Sequence, residues 1–231
     1  MISEAVNYKY WTNEEANQAF KTIKEGGLVI AKGDIGYGFF ATSEAAIRKM
    51  YQLKNRPHSN PCIVIANLQT LPKFADIPHL EILQWIEKMV SWTTLAVVLP
   101  VKKDSEILNS LPPWVYSQSV TNGTVAAFLN TGSFLESLVQ RADDEGFLFV
   151  GTSGNVSSQG NTYSFTDLPK EFTEQVDLVI DHGTAKYAND QKLATTIVNF
   201  TNWTIKRRGV NWETIEPSFY QLKEKLESIK A

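Results

Sequence analysis

Gly26-Gly27-Leu28-Val29-Ile30-Ala31-Lys32-Gly33-Asp34-Ile35-Gly36-Tyr37-Gly38 is the stretch on which the fold turns. The paired glycines stop a helix, because the backbone that unwinds a helix takes up a left-handed conformation that glycine adopts without steric cost. Residues 28–31 then form a short apolar strand, and residues 32–38 read as a loop whose glycines let the backbone bend or approach a ligand closely. Upstream, Thr12 and Glu15 stand three apart as a capping box, and Ala16, Ala19, Phe20 and Ile23 repeat at helical spacing. Downstream, Ala46, Ile47, Met50 and Leu53 give the same period over 43–53 until Pro57 ends it. A helix, a strand, a glycine-rich loop and a second helix are the beginning of an α/β domain.

The alternation continues along the chain. Residues 61–66 read as a buried strand, 80–90 as a helix, 94–101 as a strand and 111–119, with two prolines and two aromatics, as an irregular surface segment. Strand 124–129 and helix 133–142 follow, and then the apolar strand 147–150 runs directly into Gly151-Thr152-Ser153-Gly154-Asn155. Strands at 176–180, 195–200 and 203–207 come next, and 218–229 reads as a charged helix within a C-terminal helical stretch at 213–230. Consecutive strands without a helix between them, as at 195–207, favour antiparallel pairing, so the sheet is expected to be mixed. Residues 181–192 are polar and are expected to form a mobile loop or lid. No linker divides the chain, and one domain over 1–231, with a core at 13–210, is the expectation.

With 231 residues, 43% of them hydrophobic, the chain can bury a sizeable core. A net charge of -3 argues against a protein that coats nucleic acid electrostatically, so any anion site must be local. Cys62 is the only cysteine and cannot form an internal disulfide. The N-terminus shows no basic segment followed by an apolar core, and no apolar run approaches the roughly 18–20 residues of a membrane helix, so a cytoplasmic protein without a membrane partner is expected. Glycosylation sequons at Asn122, Asn155, Asn199 and Asn202 mean nothing in that compartment.

Three polar islands carry the chemistry: Lys54-Asn55-Arg56, Thr152-Ser153-Gly154-Asn155 and Arg207-Arg208-Gly209. Placed at the ends of helices and strands, they bring cations, hydroxyls and amides to one sheet edge, which suits a polyanion such as a nucleoside triphosphate. Two bland readings stand beside this. Lys54 and Arg56 at a helix C-terminus interact favourably with its dipole by roughly 0.3–1 kcal/mol, and Lys206, Arg207 and Arg208 could be a solvated strand end. There is no Walker loop, no Gly-x-Gly-x-x-Gly before a helix and no zinc spacing of Cys and His. His58, His79 and His182 are scattered and read as surface or helix-flanking residues, so no metal held by protein alone is expected. Ser153 lies outside a Gly-x-Ser-x-Gly elbow, and a phosphate-binding hydroxyl fits its setting better than a hydrolase nucleophile.

In order, Asp34-x-x-Tyr37-Gly38, Lys54-x-Arg56-Pro57, Thr152-Ser153-x-Asn155, Thr195-Thr196-Ile197-Val198 and Arg207-x-Gly209 resemble the YrdC family over about residues 13–210. Its best-known members are threonylcarbamoyl-AMP synthases of tRNA modification. The resemblance implies a twisted mixed sheet flanked by helices around a concave, positively charged cavity that binds ATP with Mg2+. It implies that Lys54 and Arg56 contact the phosphates as catalytic groups. Thr152, Ser153, Asn155, Thr196 and Arg207 would hold the nucleotide, and Asp34, Ile35 and Tyr37 the substrate. In the implied reaction an amino acid and bicarbonate give a carbamate whose oxygen attacks the α-phosphorus, releasing pyrophosphate without a covalent enzyme intermediate. A second reading, similar to the YciO branch, is a binding module for tRNA or double-stranded RNA; a third is an adenylate-forming relative with another amino acid.

The chain departs from the family pattern at several points. Where the family reads Pro-Thr-Asp-Thr-Val-Tyr-Gly, this chain has Lys32, Gly33, Asp34, Ile35, Gly36, Tyr37 and Gly38, losing both threonine hydroxyls. A polar substrate loses partners there, so a different or more apolar amino acid is expected. Phe128 and Asn60 stand at two positions where the family has cations, and Trp92-Thr93-Thr94-Leu95-Ala96 replaces Trp-Pro-Gly-Pro-Leu-Thr.

Overall fold

The computed structural model describes residues 10–157 and 159–230. The first nine residues, on which the absence of a leader is read, lie outside them. Helix α1 (Asn13–Lys24) leads to strands β1 (Val29–Gly33) and β2 (Gly36–Ala41), helix α2 (Glu44–Leu53) and strand β3 (Ile63–Ile65). Helices α3 (Leu71–Phe74) and α4 (Leu80–Val90), strand β4 (Leu95–Pro100), helices α5 (Glu106–Asn109) and α6 (Pro113–Ser119) and strands β5 (Val120–Thr121) and β6 (Thr124–Leu129) follow. The chain continues through α7 (Ser133–Asp144), β7 (Val150–Ser153), α8 (Lys170–Gln175), β8 (Leu178–Val179), β9 (Ile197–Asn199), β10 (Thr204–Arg207) and α9 (Trp212–Lys230).

All ten strands join one sheet in the order β10-β9-β4-β6-β3-β7-β2-β1-β8, with β5 added on β6. The pairs β1–β8, β3–β6 and β4–β9 are parallel and the others antiparallel, so this is the mixed α/β sheet expected from the sequence. Period-two alternation divides the strand residues between two faces. Leu28, Ile30, Phe39, Val64, Val97, Leu99, Val125, Ala127 and Val198 enter the larger core, against α2, α3, α4, α5, α6, α8 and α9. Val29, Ala31, Phe40 and Ile65 face the other way and enter a smaller core with Ala16, Ala19 and Ile23 of α1 and Phe134, Leu135 and Leu138 of α7. The smaller layer covers the sheet from β8 to β3 and reaches Phe128 of β6, and among the described residues no helix covers the same face of β4, β9 and β10.

Several local outcomes differ from the sequence expectation. The stretch 32–38 is not a loop but a hairpin, with Gly33 opposite Gly36 and only Asp34-Ile35 as the turn. The glycines hid the strand: a Cβ on Gly38 would lie 2.8 Å from the Phe40 ring, so these positions are bare because atoms crowd them. The strand expected at 147–150 begins only at Val150 and runs on to Ser153, so Thr152 and Ser153 of the polar island lie in the sheet, paired with β2, while Gly154 and Asn155 follow the strand's end. Residues 113–119 are helical because Pro113 occupies the first helical position, where no N–H is needed. Helix α9 begins before Pro217 and passes through it, held by Ile215 and Phe219 in the core. Residues 181–192 are irregular as expected but pinned rather than free-standing. Tyr37 Oη shares its one proton between Asp181 and the Gly183 carbonyl, Lys32 Nζ donates to the Thr184 carbonyl, and the Tyr187 amide donates to the Asp34 carbonyl. Among the described residues no helix is long and apolar enough to cross a membrane.

The turn after β10 is the tightest crossing. Gly209 passes so close to the strand before it that a Cβ would overlap the Ala194 carbonyl oxygen and lie 2.5 Å from Thr195 C and Thr196 N. Gly209→Ala is therefore expected to cost about 3 kcal/mol or more, lowering Tm by roughly 6–12 °C. Gly123→Ala, at φ +70 with nothing within 4 Å, should cost only about 1 kcal/mol. Thermal unfolding of the two variants gives the comparison; equal shifts would contradict the packing argument.

Candidate functional site

The part of this sheet face beyond the smaller layer, with Phe40, Gly151, Ile63 and Ile65 at the layer's border, is the floor of a cavity of about 410 Å³. Its floor follows the strand register: Phe40 lies opposite Gly151, Gly151 opposite Ile63, Ile65 opposite Phe128, Phe128 opposite Ala96, Ala96 opposite Ile197 and Ile197 opposite Arg207. All these residues line the cavity. The floor is apolar to its last strand and ends on a cation. Among the described residues the charged side chains around it are Arg56, Lys206 and Arg207, and no acidic residue lines it.

Arg56 follows the end of α2, where Asn55 turns the chain at φ 47. Its guanidinium donates to the Pro61 carbonyl at 2.8 Å and the Asn60 carbonyl at 3.3 Å, which fixes it at the cavity wall. Across the cavity Arg207 Nε donates to the Thr195 carbonyl at 2.8 Å. Desolvation by the surrounding wall, and next the charge of Arg56, lower the Arg207 pKa, although the side chain keeps contact with solvent. Two like charges facing one cavity attract an anion. Thr152 and Ser153 also line it, and neither hydroxyl has a hydrogen-bond partner among the described residues.

Lys54 takes a different place from the one its motif implies. It is 1% exposed and does not line the cavity. Its ammonium donates to the carbonyl oxygens of Ser153 and, at 2.7 Å, of Asn155, tying the end of α2 to the end of β7. Burial, and next the charge of Arg56, push its pKa down to about 7, while the two carbonyls favour the charged form. The expected pair therefore divides: Arg56 borders the cavity and Lys54 positions the strand that carries Ser153.

Thr196 is likewise not a lining residue. Its hydroxyl donates to the Val210 carbonyl at 2.9 Å and accepts from the Gly209 amide at 3.0 Å, fixing the turn, and Thr195 borders the cavity instead. The Asn155 amide donates to the Val156 carbonyl, and its Oδ1 is buried with no partner in the described structure. Ile35 lines the cavity and is 8% exposed. Tyr37 borders it, but its ring belongs to the larger core and burial and Asp181 raise its pKa. Asp34 turns to the far side of the hairpin, 3.7 Å from Lys186 Nζ, in a separate cavity with Lys32, Ser133 and His182. Of the substrate group expected from the sequence, only Ile35 presents its side chain here.

Asn161 was not anticipated; its amide donates to the Ile35 carbonyl and helps wall the cavity. No motif announces it, because its role is set by a backbone partner 126 residues away. His182 also departs from the surface reading: it is 2% exposed, packed on Phe134, and burial lowers its pKa despite Glu15 at 3.5 Å. His79 flanks α4 and His58 stacks on Tyr51.

A family model, Sua5_yciO_yrdC, described as telomere recombination, matches residues 21–209. The chain is 25% identical over 203 residues to a threonylcarbamoyl-AMP synthase of Pyrococcus abyssi (strain GE5 / Orsay), covering 84% of this chain and 54% of that protein. It thus spans about half the length of that relative. A threonylcarbamoyl-AMP synthase of Pseudoalteromonas translucida (strain TAC 125) is 24% identical over 167 residues, covering 71% of this chain and 83% of the relative. The crystal structure of P. abyssi Sua5 complexed with L-threonine superposes with a TM-score of 0.73 at 21% identity, over 91% of this chain and 58% of that one. That likeness speaks to the fold.

The buried ammonium gives a pH test. With a folded pKa near 7, below the ordinary 10.5, the unfolded chain binds the proton more tightly. Stability from this group is then lost as pH falls toward 7 and regained as pH rises. Between about pH 7 and pH 9.5 the unaltered chain should gain stability relative to Lys54→Met, by at most about 1.4 kcal/mol per pH unit. Urea unfolding at a series of pH values measures this; parallel curves would contradict it.

Proposed function

Because the chain belongs to the Sua5/YciO/YrdC family, we propose that its cavity binds ATP and forms a carbamoyl adenylate from an amino acid and bicarbonate. The amine and bicarbonate give a carbamate and water. A carbamate oxygen attacks the α-phosphorus, the bond to the β-phosphate bridging oxygen breaks, and pyrophosphate leaves. No enzyme nucleophile takes part, so the protein's work is positioning and charge stabilisation. The tRNA modification served by the threonylcarbamoyl relatives would be the use of the product.

The observation that carries this reading is the meeting of Arg56 and Arg207 with Thr152 and Ser153 in the lining of one cavity, where, among the described residues, neither hydroxyl has a hydrogen-bond partner and no acid lines the wall. The guanidinium forks would neutralise the polyphosphate and the charge that builds on the departing pyrophosphate. The hydroxyls would hold phosphate or ribose oxygens, and the apolar floor would receive the base or the amino-acid side chain. Magnesium would arrive on the triphosphate, ligated by phosphate oxygens and water. Among the described residues no three His, Cys, Asp or Glu side chains gather to hold it. Ile35, Phe128 and Leu135 in the lining favour an amino acid more apolar than threonine.

Titration calorimetry with MgATP is expected to show binding that weakens about 10- to 100-fold in Arg56→Ala and in Arg207→Ala. Pyrophosphate release from ATP and bicarbonate, screened across amino acids with threonine as reference, identifies the substrate. No release with any amino acid, together with salt-dependent binding of double-stranded RNA or tRNA, would replace the synthase with a phosphate-backbone-binding surface.

A further inference from the structure

Strand β10 pairs with β9 as Thr204 with Asn199 and Ile205 with Val198, but the next pair is Arg207 with Ile197. Lys206 is the extra residue of a β-bulge. In an unbroken strand successive side chains point to opposite faces, so only one of Lys206 and Arg207 would reach the cavity. Here both line it. Bulges collect at sheet edges and beside functional sites, where they re-aim a side chain.

The two residues after Lys206 show that this edge is differentiated. Arg207 is fastened to the Thr195 carbonyl, and Arg208 turns outward into a bidentate pair with Glu216, with contacts of 2.7 and 2.6 Å. Lys206 is exposed and makes no ion pair among the described residues. Beside Arg56 the lining residue Asn60 carries no charge, and neither does Phe128 on the floor. A polyanion in this cavity therefore finds its cations at Arg56 and on the bulged edge.

We propose that Lys206 is a polyphosphate-binding residue of the cavity, brought to it by the β10 bulge. This rests on the reading of the cavity as an ATP site. A flexible ammonium beside a fastened guanidinium supplies a mobile point charge where Arg207 supplies a fixed fork, so Lys206 follows phosphate oxygens as they separate.

The test is calorimetric titration of the full chain with MgATP and with inorganic tripolyphosphate at low salt. Lys206→Ala should weaken both about tenfold. The loss should shrink at about 0.5 M salt, and Lys206→Arg should restore most of the affinity. Lys225→Ala, on the exposed side of α9, should bind as the unaltered chain does. If Lys206→Ala binds both probes as tightly as the unaltered chain, or loses affinity for MgATP alone, the assignment to polyphosphate is overturned while the ATP site stands. If the unaltered chain binds neither probe, the ATP reading fails and takes this one with it. Exposure of the side chain allows the variant to fold, and an unchanged melting temperature verifies it.

Discussion

A sheet buried on both faces needs two helical layers of matching width, and here the second layer is too narrow. Among the described residues seven helices cover one face, whereas α1 and α7 cover the other from β8 to β3 and reach only Phe128 of β6. The remaining strands must present side chains to a space that no helix fills. Small and branched residues, Ala96, Val98, Ala126 and Ile197, keep that space open, and the segments around Asn161 and Thr195 wall it. The cavity is thus a by-product of where helices stop, and its charges come from places where strands and helices end.

Burial sorts the cations into two kinds. Lys54 is fully inside, and its ammonium is tolerable because two carbonyl oxygens receive it; an unpaired ammonium at that depth would be expensive. It sets the geometry of β7 without facing the cavity. Arg56, Lys206 and Arg207 keep contact with solvent and line the cavity. A motif that lists Lys54 and Arg56 together thus joins a structural strut to a surface charge. Their mutual repulsion, visible as a contribution of Arg56 to the lowered Lys54 pKa, links the two.

Much of the fold was legible in the sequence because hydrophobic period reports burial directly. The capping box at Thr12, the helical stripes of α2, α4 and α7 and the apolar strands β4 and β6 stand where the pattern puts them. The hairpin of β1 and β2 was hidden because Gly36 and Gly38 lack the side chains that reveal a strand, and α6 because its prolines lie where a helix begins. At the site, sequence order brought Arg56, Thr152, Ser153 and Arg207 to one cavity. It could not tell which way a side chain turns. Thr195 and Thr196 are neighbours of identical chemistry, and only the turn at Gly209 decides that one lines the cavity and the other holds the backbone.

The bulge in β10 has a consequence beyond ligand binding. An edge strand offers a row of unpaired amides and carbonyls on which another chain can add, and a ten-stranded sheet with a regular edge would be a template for aggregation. In this molecule the β10 edge is short, its register is broken at Lys206, and it carries Lys206 and Arg207 in succession. A second copy approaching edge to edge would meet an irregular backbone and a run of like charge. The irregularity that re-aims a cation also keeps the sheet from growing.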